Sequence, residues 1–251
     1  MRRDDRPPAR PDGWASRRAL SRLVARFREG WATTPAPSRR RWITTVALGY
    51  PAVLALTAAL TEVGRRLNGN GHFAWEADFL VRLDQALPLS FSTAVWLQTP
   101  GSDITLALIT GGTAAALAWA RRPLPALAVL LAPVALDVAV RLAWLFWDRA
   151  RSTVILDGIA APGFASFPSG HTAKSTAVFG LLAYLWARAT SRWAERLLAA
   201  ALAAGAIALV AIGRLRMGVH WPSDIVAGLI LGGAWVAVLG LALQPGTGEA
   251  G

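Results

Sequence analysis

Phe167-Pro168-Ser169-Gly170-His171 decides how this chain is read, together with a second stretch, Arg214-Leu215-Arg216-Met217-Gly218-Val219-His220-Trp221-Pro222-Ser223-Asp224. Both sit at the edges of long apolar runs, where polar and ionisable side chains are costly and usually functional. Between them they hold two of the three histidines in the chain, a carboxylate four residues after one of these, and two arginines. These are the parts of an anion site with a nucleophile and an acid beside it.

A neutral imidazole is a competent nucleophile when an acceptor holds its other ring nitrogen protonated, and a carboxylate also stabilises the cation that forms. Pro222 suits the first turn of a helix. His220 is therefore expected just before a helix and Asp224 in its first turn, within bonding distance. The competing reading is a helix-capping aspartate beside an interfacial histidine. Ser169-Gly170-His171 also opens an apolar helix. Ser169 can cap it, Gly170 lets backbone approach a ligand, and the free N–H groups of a helix start attract phosphate. His171 would stand beside the bound anion and could protonate a leaving oxygen. Taken alone, that stretch is equally a cap followed by a stray histidine. Arg214, Arg149 and Arg151 supply fixed positive charge, and guanidinium forks match phosphate oxygens in pairs. Zinc held by His171, His220 and Asp224 is conceivable on ligand type, but several arginines aimed at one place argue against a bound cation.

The chain resembles the type 2 phosphatidic acid phosphatase superfamily, integral-membrane lipid phosphatases with three motifs: Lys-x6-Arg-Pro, Pro-Ser-Gly-His and Ser-Arg-x5-His-x3-Asp. The second is complete at Pro168 to His171. The third is present from Arg214 through His220 to Asp224, with Gly213 in place of the usual serine. Order and gaps also agree, over roughly residues 42 to 243. The resemblance implies that His220 attacks phosphorus, Asp224 orients it, His171 serves the leaving group, and Arg214, Arg151, Ser169 and Gly170 hold the phosphate. The first motif departs from the pattern. Ser152 follows Arg151 where proline is usual, and Trp144 stands at the lysine position. Arg141, one turn further back, and Lys174, the only lysine in the chain, are the candidate substitutes. The alternatives are an Arg141–Asp137 pair at i, i+4 spacing and a Lys174 that snorkels to the headgroups.

A hydrophobic content of 54% and a mean hydropathy of +0.40 point to a membrane bundle. The net charge of +11 is carried almost wholly by arginine and clusters beside apolar runs, so an anionic inner leaflet explains it better than nucleic acid does. There is no cysteine, hence no disulfide framework and no thiol chemistry.

Residues 1 to 41 form a basic tail, too long and too basic for an ordinary cleaved signal peptide. Its first dozen residues are expected to be disordered. Leu20, Leu23, Val24, Phe27 and Trp31 share one helical face, which predicts a helix on the membrane surface; the alternative is a partly disordered tail. Six apolar stretches follow, near Trp42–Leu60, Ile104–Ala120, Leu124–Trp147, Thr172–Ala189, Leu197–Ile212 and Ile225–Leu243. Most have the length needed to span hydrocarbon. Pro133, Asp137 and Arg141 predict a kinked third stretch that faces the bundle interior there. Within the long connection from Thr61 to Ser102, Asn68-Gly69-Asn70-Gly71 is a turn signal. Beyond it, Phe79, Leu80, Leu83 and Leu87 form an apolar stripe opposite Glu76, Asp78, Arg82 and Asp84, an interfacial helix beside the substrate entrance. His72 reads as an ordinary loop residue.

Arginine counts in short loops put both termini in the cytoplasm and both catalytic stretches outside. The expected protein is thus an all-α, six-span membrane phosphatase over residues 42 to 243, with a short C-terminal tail from 244 to 251. By resemblance it hydrolyses a lipid phosphomonoester or diphosphate through a phosphohistidine, with neither metal nor cofactor. Isoprenoid diphosphate, phosphatidic acid and phosphatidylglycerol phosphate all remain open as substrates. The rival readings are a lipid phosphotransferase on the same histidine, a non-catalytic lipid-phosphate binder or transporter, and a vanadate haloperoxidase, which is disfavoured because those relatives are soluble.

Overall fold

The computed structural model describes residues 13–68, 71–155 and 165–244. The expected disorder of the first dozen residues and the tail from 245 onward lie outside them. Of the predicted turn only the ends are described, and Gly71 N–H bonds to the Asn68 carbonyl at 3.0 Å.

All regular structure in the described residues is helical, with no strand among them. In chain order the helices are α1 (Gly13–Thr33), α2 (Ala36–Asn68), α3 (Ala74–Ala86), α4 (Phe91–Gln98), a 3-10 turn (Thr99–Gly101), α5 (Asp103–Trp119), α6 (Pro123–Phe146), α7 (Gly170–Ala189), α8 (Trp193–Arg216) and α9 (Pro222–Ala242). Five segments are long and apolar enough to cross a membrane: α2, α4 with α5, α6, α8 and α9. The sixth expected span, α7, has 20 residues, enough to cross hydrocarbon. It falls short in hydropathy because it carries Thr172, Lys174 and Ser175. All three are buried, so their polarity meets other helices rather than lipid.

α7 lies at the centre, packed on α9, α8 and α6. Four-residue rows from three helices meet there: Ala128, Ala132, Leu136 and Val140 of α6, Ala173, Ala177 and Leu181 of α7, and Leu231, Trp235 and Leu239 of α9. Rows of this spacing interdigitate as ridges in grooves. Gly228 and Gly232 let α7 and α9 touch backbone to backbone. A Cβ on Gly228 would stand 2.8 Å from the Ser169 carbonyl oxygen, and one on Gly232 would stand 2.6 Å from that of Ala173. This is the small-residue contact by which membrane helices approach closely.

The helix ends sort into two groups. The ends of α2, α6 and α8 and the starts of α5, α7 and α9 surround the two motif stretches. The opposite end gathers α1, the α5–α6 turn and the end of α9. There Arg121 pairs with Glu29 at 2.9 Å, and Arg41 donates to Gln244 at 3.4 Å.

Several boundaries differ from the sequence reading. α2 begins at Ala36 rather than Trp42, and α8 extends about a turn beyond both predicted ends. α6 passes through Pro133 as one helix. Residues 13–33 are helical, but the apolar face is divided. Leu23 and Phe27 pack on Ala114, Ala118 and Ala126, whereas Leu20 remains exposed. α4 is absent from the sequence reading; its eight residues are too short to show a period.

Candidate active site

α8 ends at Arg216, and Gly218 turns the chain with a φ of 68°, which costs a glycine nothing. The chain then runs through His220 into α9. Asp224 is the third residue of that helix, and its Oδ2 accepts from the Trp221 N–H at 2.8 Å. The same oxygen lies 3.3 Å from His220 Nδ1. The carboxylate therefore caps α9 and holds the imidazole at once, so the two competing readings of Asp224 are both realised. On the far side of the ring, Nε2 is 3.4 Å from Arg214 Nη2. A guanidinium is an obligate donor, so this geometry leaves the proton on Nδ1 and the lone pair on Nε2.

His220 is buried. Burial is the main force lowering its imidazolium pKa, to about 4; the Asp224 bond opposes this, and Arg214 adds to it. The ring is thus neutral at physiological pH, the form that can attack. Arg214 is fixed by Gln98, whose Oε1 accepts from Nη1 at 2.8 Å. That contact depends on Gly213: a Cβ there would stand 2.7 Å from the Ala94 carbonyl oxygen and 2.9 Å from Gln98 N. The glycine at the usual serine position thus lets α4 close on α8. No sequence signal marks Gln98.

The second stretch converges on the first. Ser169 N–H donates to the Asp224 carbonyl at 3.0 Å, tying the start of α7 to the start of α9. Ser169 is the N-cap of α7, and its Oγ accepts from the Thr172 hydroxyl at 3.1 Å. His171 follows, half-buried, with Arg214, Lys174 and Arg151 as its charged neighbours and the His220 ring also nearby. A Cβ on Gly170 would meet only Val140 at 3.4 Å and Trp144 at 3.9 Å, so crowding by the protein does not demand glycine there.

The residues around the first motif divide. Arg151 reaches across the site, donating to the Val219 carbonyl at 3.1 Å and the Ala165 carbonyl at 3.4 Å. Burial lowers its pKa, while Asp224 opposes the shift. Ser152, at the proline position, accepts from the Val154 N–H at 3.2 Å, a hydroxyl turn that restrains the chain by other means. Trp144, at the lysine position, donates from Nε1 to the Pro168 carbonyl at 3.3 Å and so braces the second motif.

Arg149, expected at the phosphate, has its guanidinium committed to two carboxylates. Its side chain is inaccessible, and it pairs with Glu76 and with Asp224, each at 2.6 Å. Its ring contacts are Trp147, 5.3 Å from the guanidinium carbon, and Trp221, 5.7 Å away. With both carboxylates bound, the fork is committed behind the site. Lys174 and Arg141 are also engaged elsewhere. Lys174 is buried rather than snorkelling and pairs with Asp103 of α5 and with Asp137 at 3.1 Å. Arg141 bonds Asp137 at 2.6 Å while most of its side chain stays exposed. The four charges staple α5, α6 and α7 beside the site, and Asp137 faces a groove between helices rather than a dry interior. Lys174→Met is therefore expected to leave two carboxylates without their shared cation, but both keep access to solvent and Asp137 keeps Arg141, so the cost should be about 1–2 kcal/mol. Arg141→Ala should cost below about 1 kcal/mol. Thermal unfolding of both variants in detergent, with phosphatase assays alongside, checks this. A selective collapse of kcat/KM in a stable Arg141→Ala protein would return that residue to the phosphate.

Glu76 is not the solvent-facing residue of α3 that the apolar stripe predicts. It is fully buried, as is Leu80, while Phe79 and Leu87 of the expected stripe are exposed. Three donors from other segments rotate the helix to this face, Arg149 Nη2 at 2.6 Å, Ser223 N at 2.9 Å and Ser223 Oγ at 2.5 Å, while the helix's own N-cap, Phe73 N, binds the same carboxylate at 2.8 Å. His72 is more than a loop residue, since it stacks on Trp221 with ring centroids 4.2 Å apart. Among the described residues no cluster of three or more His, Cys, Asp or Glu side chains is arranged to hold a metal ion.

A family model described as the PAP2 superfamily matches residues 105–245. The chain belongs to the PAP2 superfamily. Its helices make it a multi-pass membrane protein of that fold. A solved structure described as the first transmembrane PAP2-type phosphatidylglycerolphosphate phosphatase from Bacillus subtilis is similar in fold, with a TM-score of 0.50 and 16% identity. The match covers 88% of this PAP2 chain and 93% of the other. No curated protein sequence matches.

Proposed function

We propose that this PAP2 protein is a metal-independent lipid phosphate phosphatase that works through a phosphohistidine on His220. One observation carries the proposal: His220 is held on one nitrogen by Asp224 and presents the other to Arg214. A phosphate bound to Arg214 and to the N–H groups at the start of α7 would lie against Nε2.

In the first step the Nε2 lone pair attacks phosphorus as the phosphorus–oxygen bond to the lipid breaks. A proton that His171 takes up together with the anionic substrate passes to the departing oxygen, and the lipid leaves as an alcohol or, from a diphosphate, as a monophosphate. Asp224 remains a carboxylate and balances the positive imidazole. In the second step water attacks phosphorus, His171 takes its proton, and the phosphorus–nitrogen bond electrons return to Nε2. Inorganic phosphate departs and the starting state is restored. Arg214 and Arg151 offset the charge that gathers on the equatorial oxygens.

The substrate class proposed is a lipid phosphomonoester or diphosphate: phosphatidylglycerol phosphate, phosphatidic acid or an isoprenoid diphosphate. The end of the bundle that holds the site is proposed to face outward, with both termini cytoplasmic. The arginines of the opposite end support this, Arg17, Arg22, Arg28, Arg121, Arg122 and Arg192 being exposed there, where an anionic inner leaflet would attract them.

Purified protein in detergent is expected to release phosphate from one or more of the three lipid classes. Activity should survive EDTA and be inhibited by vanadate, a mimic of five-coordinate phosphorus. Loss on chelation with recovery on zinc would overturn metal independence. Phosphate moved to an added lipid acceptor instead of water would mark a phosphotransferase, and stoichiometric lipid binding without product would mark a binder.

A further inference from the structure

Behind the His220–Asp224 pair lies a second layer that the reaction above does not use. Asp224 has two carboxylate oxygens with different partners. Oδ2 faces His220 and the Trp221 N–H, and Oδ1 accepts from Arg149 Nη1 at 2.6 Å. The other end of that guanidinium is held by Glu76, from a helix in a distant part of the chain, at 2.6 Å. Ser223 closes the circuit: its Oγ accepts from Arg149 Nη1 at 2.7 Å and donates to Glu76 Oε1 at 2.5 Å. Glu76, Arg149 and Asp224 are all fully buried.

The charge count shows what this arrangement does. Arg149 alone against Asp224 would cancel the carboxylate at the moment His220 becomes positive. Glu76 adds a second negative charge, so the trio of two carboxylates and one guanidinium retains one net negative charge beside the imidazole. In a buried site such a charge is weakly screened. We infer that Glu76 is a positioning residue for catalysis: through Arg149 it holds the Asp224 carboxylate on His220 Nδ1 and preserves the negative charge that supports the phosphohistidine. α3 is held at that place independently by Leu80, which packs on Ile155, Leu215, Trp221 and Ile225.

This inference rests on the phosphohistidine reading, and its test separates the two. Glu76→Gln removes the charge and keeps the shape. The expected result is a kcat lowered on the order of 10- to 100-fold, the range that follows loss of outer-layer partners, with KM within about twofold, since KM reports binding the variant leaves in place. The acid limb of kcat/KM should move to lower pH. An imidazolium loses support when a neighbouring anion is removed, and the groups that face His220 in both proteins, Asp224, Arg214, His171 and Arg151, are unchanged. Using one substrate for wild type and variant cancels the titration of the substrate itself. Leu239→Ala is the control: this buried core residue near the far end of α9 touches neither α3 nor the site, and its truncation is expected to lower thermal stability while leaving kcat and the acid limb where they are.

A folded Glu76→Gln protein with wild-type kcat and an unmoved limb overturns the inference while leaving the phosphatase reading intact. If Glu76→Gln does not fold, Glu76→Asp decides, because it keeps the charge but shortens the reach to Arg149. An intermediate loss of kcat supports the inference, and wild-type kcat overturns it. A wild-type protein that hydrolyses no lipid phosphate overturns both readings.

Discussion

His220→Ala is expected to abolish turnover, by about 10⁴-fold or more, as when the attacking group is removed from other covalent catalysts. Labelled phosphate from substrate should appear on the wild-type protein in rapid-quench experiments, through a bond that is acid-labile and base-stable, as a phosphoramidate is. The label should vanish in His220→Ala. Label that persists in that variant would sink the assignment of the nucleophile. The pH dependence follows from the same geometry. Burial lowers the His220 imidazolium to about 4, so Nε2 keeps its lone pair as pH falls through about 6.5, the ordinary histidine value. The limb that belongs to His220 should therefore lie well on the acid side of that value in kcat/KM, which reports the free enzyme. Asp224→Asn should slow attack by several kcal/mol by analogy with hydrolase triads. It should also destabilise the protein, because the neutral amide leaves Arg149 buried with Glu76 alone as its counter-ion.

Gly232→Leu is expected to be the most disruptive substitution in the membrane core. A Cβ there would stand 2.5 Å from Thr176 Cβ and 2.6 Å from the Ala173 carbonyl oxygen. Backbone cannot yield as a flexible side chain does, so α9 must move off α7. The cost should be about 3 kcal/mol or more, read as a fall in thermal midpoint in detergent. Activity should fall as well, since α7 carries His171 and the α9 start carries Asp224. Gly233, next in the chain, is the contrast: a Cβ there would meet nothing within 4 Å. Gly233→Ala should raise stability by up to about 1 kcal/mol through helix propensity alone. Equal effects at the two positions would show that the α7–α9 contact does not depend on close backbone approach.

The legible part of this protein is local. Long apolar runs announce membrane helices, because hydropathy is a property of each segment by itself. Ser169 before an apolar helix, and Pro222 with Asp224 at the start of another, announce two helix N-termini, because caps are satisfied within four residues. The pairing of Asp224 with His220 lies within the same reach. Contacts across the chain are not legible. Arg141, Lys174 and Arg149 have the same sequence appearance as phosphate ligands, yet each commits its charge to carboxylates. For Arg149 and Lys174 these come from distant helices, Glu76 lying 73 residues from Arg149 and Asp103 lying 71 residues from Lys174.

Glu76 escapes a sequence reading for a related reason. A stripe of apolar residues indicates a buried face only when apolar area drives the burial, and here three donors from other segments turn the acidic face inward. Gln98 against Arg214 and the glycine contact of α7 with α9 likewise exist only once helices meet. By itself, the sequence determined the apolar segments that become the long helices and the caps that open α7 and α9, since these follow from transfer free energy and helix-end hydrogen bonding. Tertiary structure alone decided which charges stay on the site and which neutralise one another behind it, because a buried ion is stable only where another segment brings its partner.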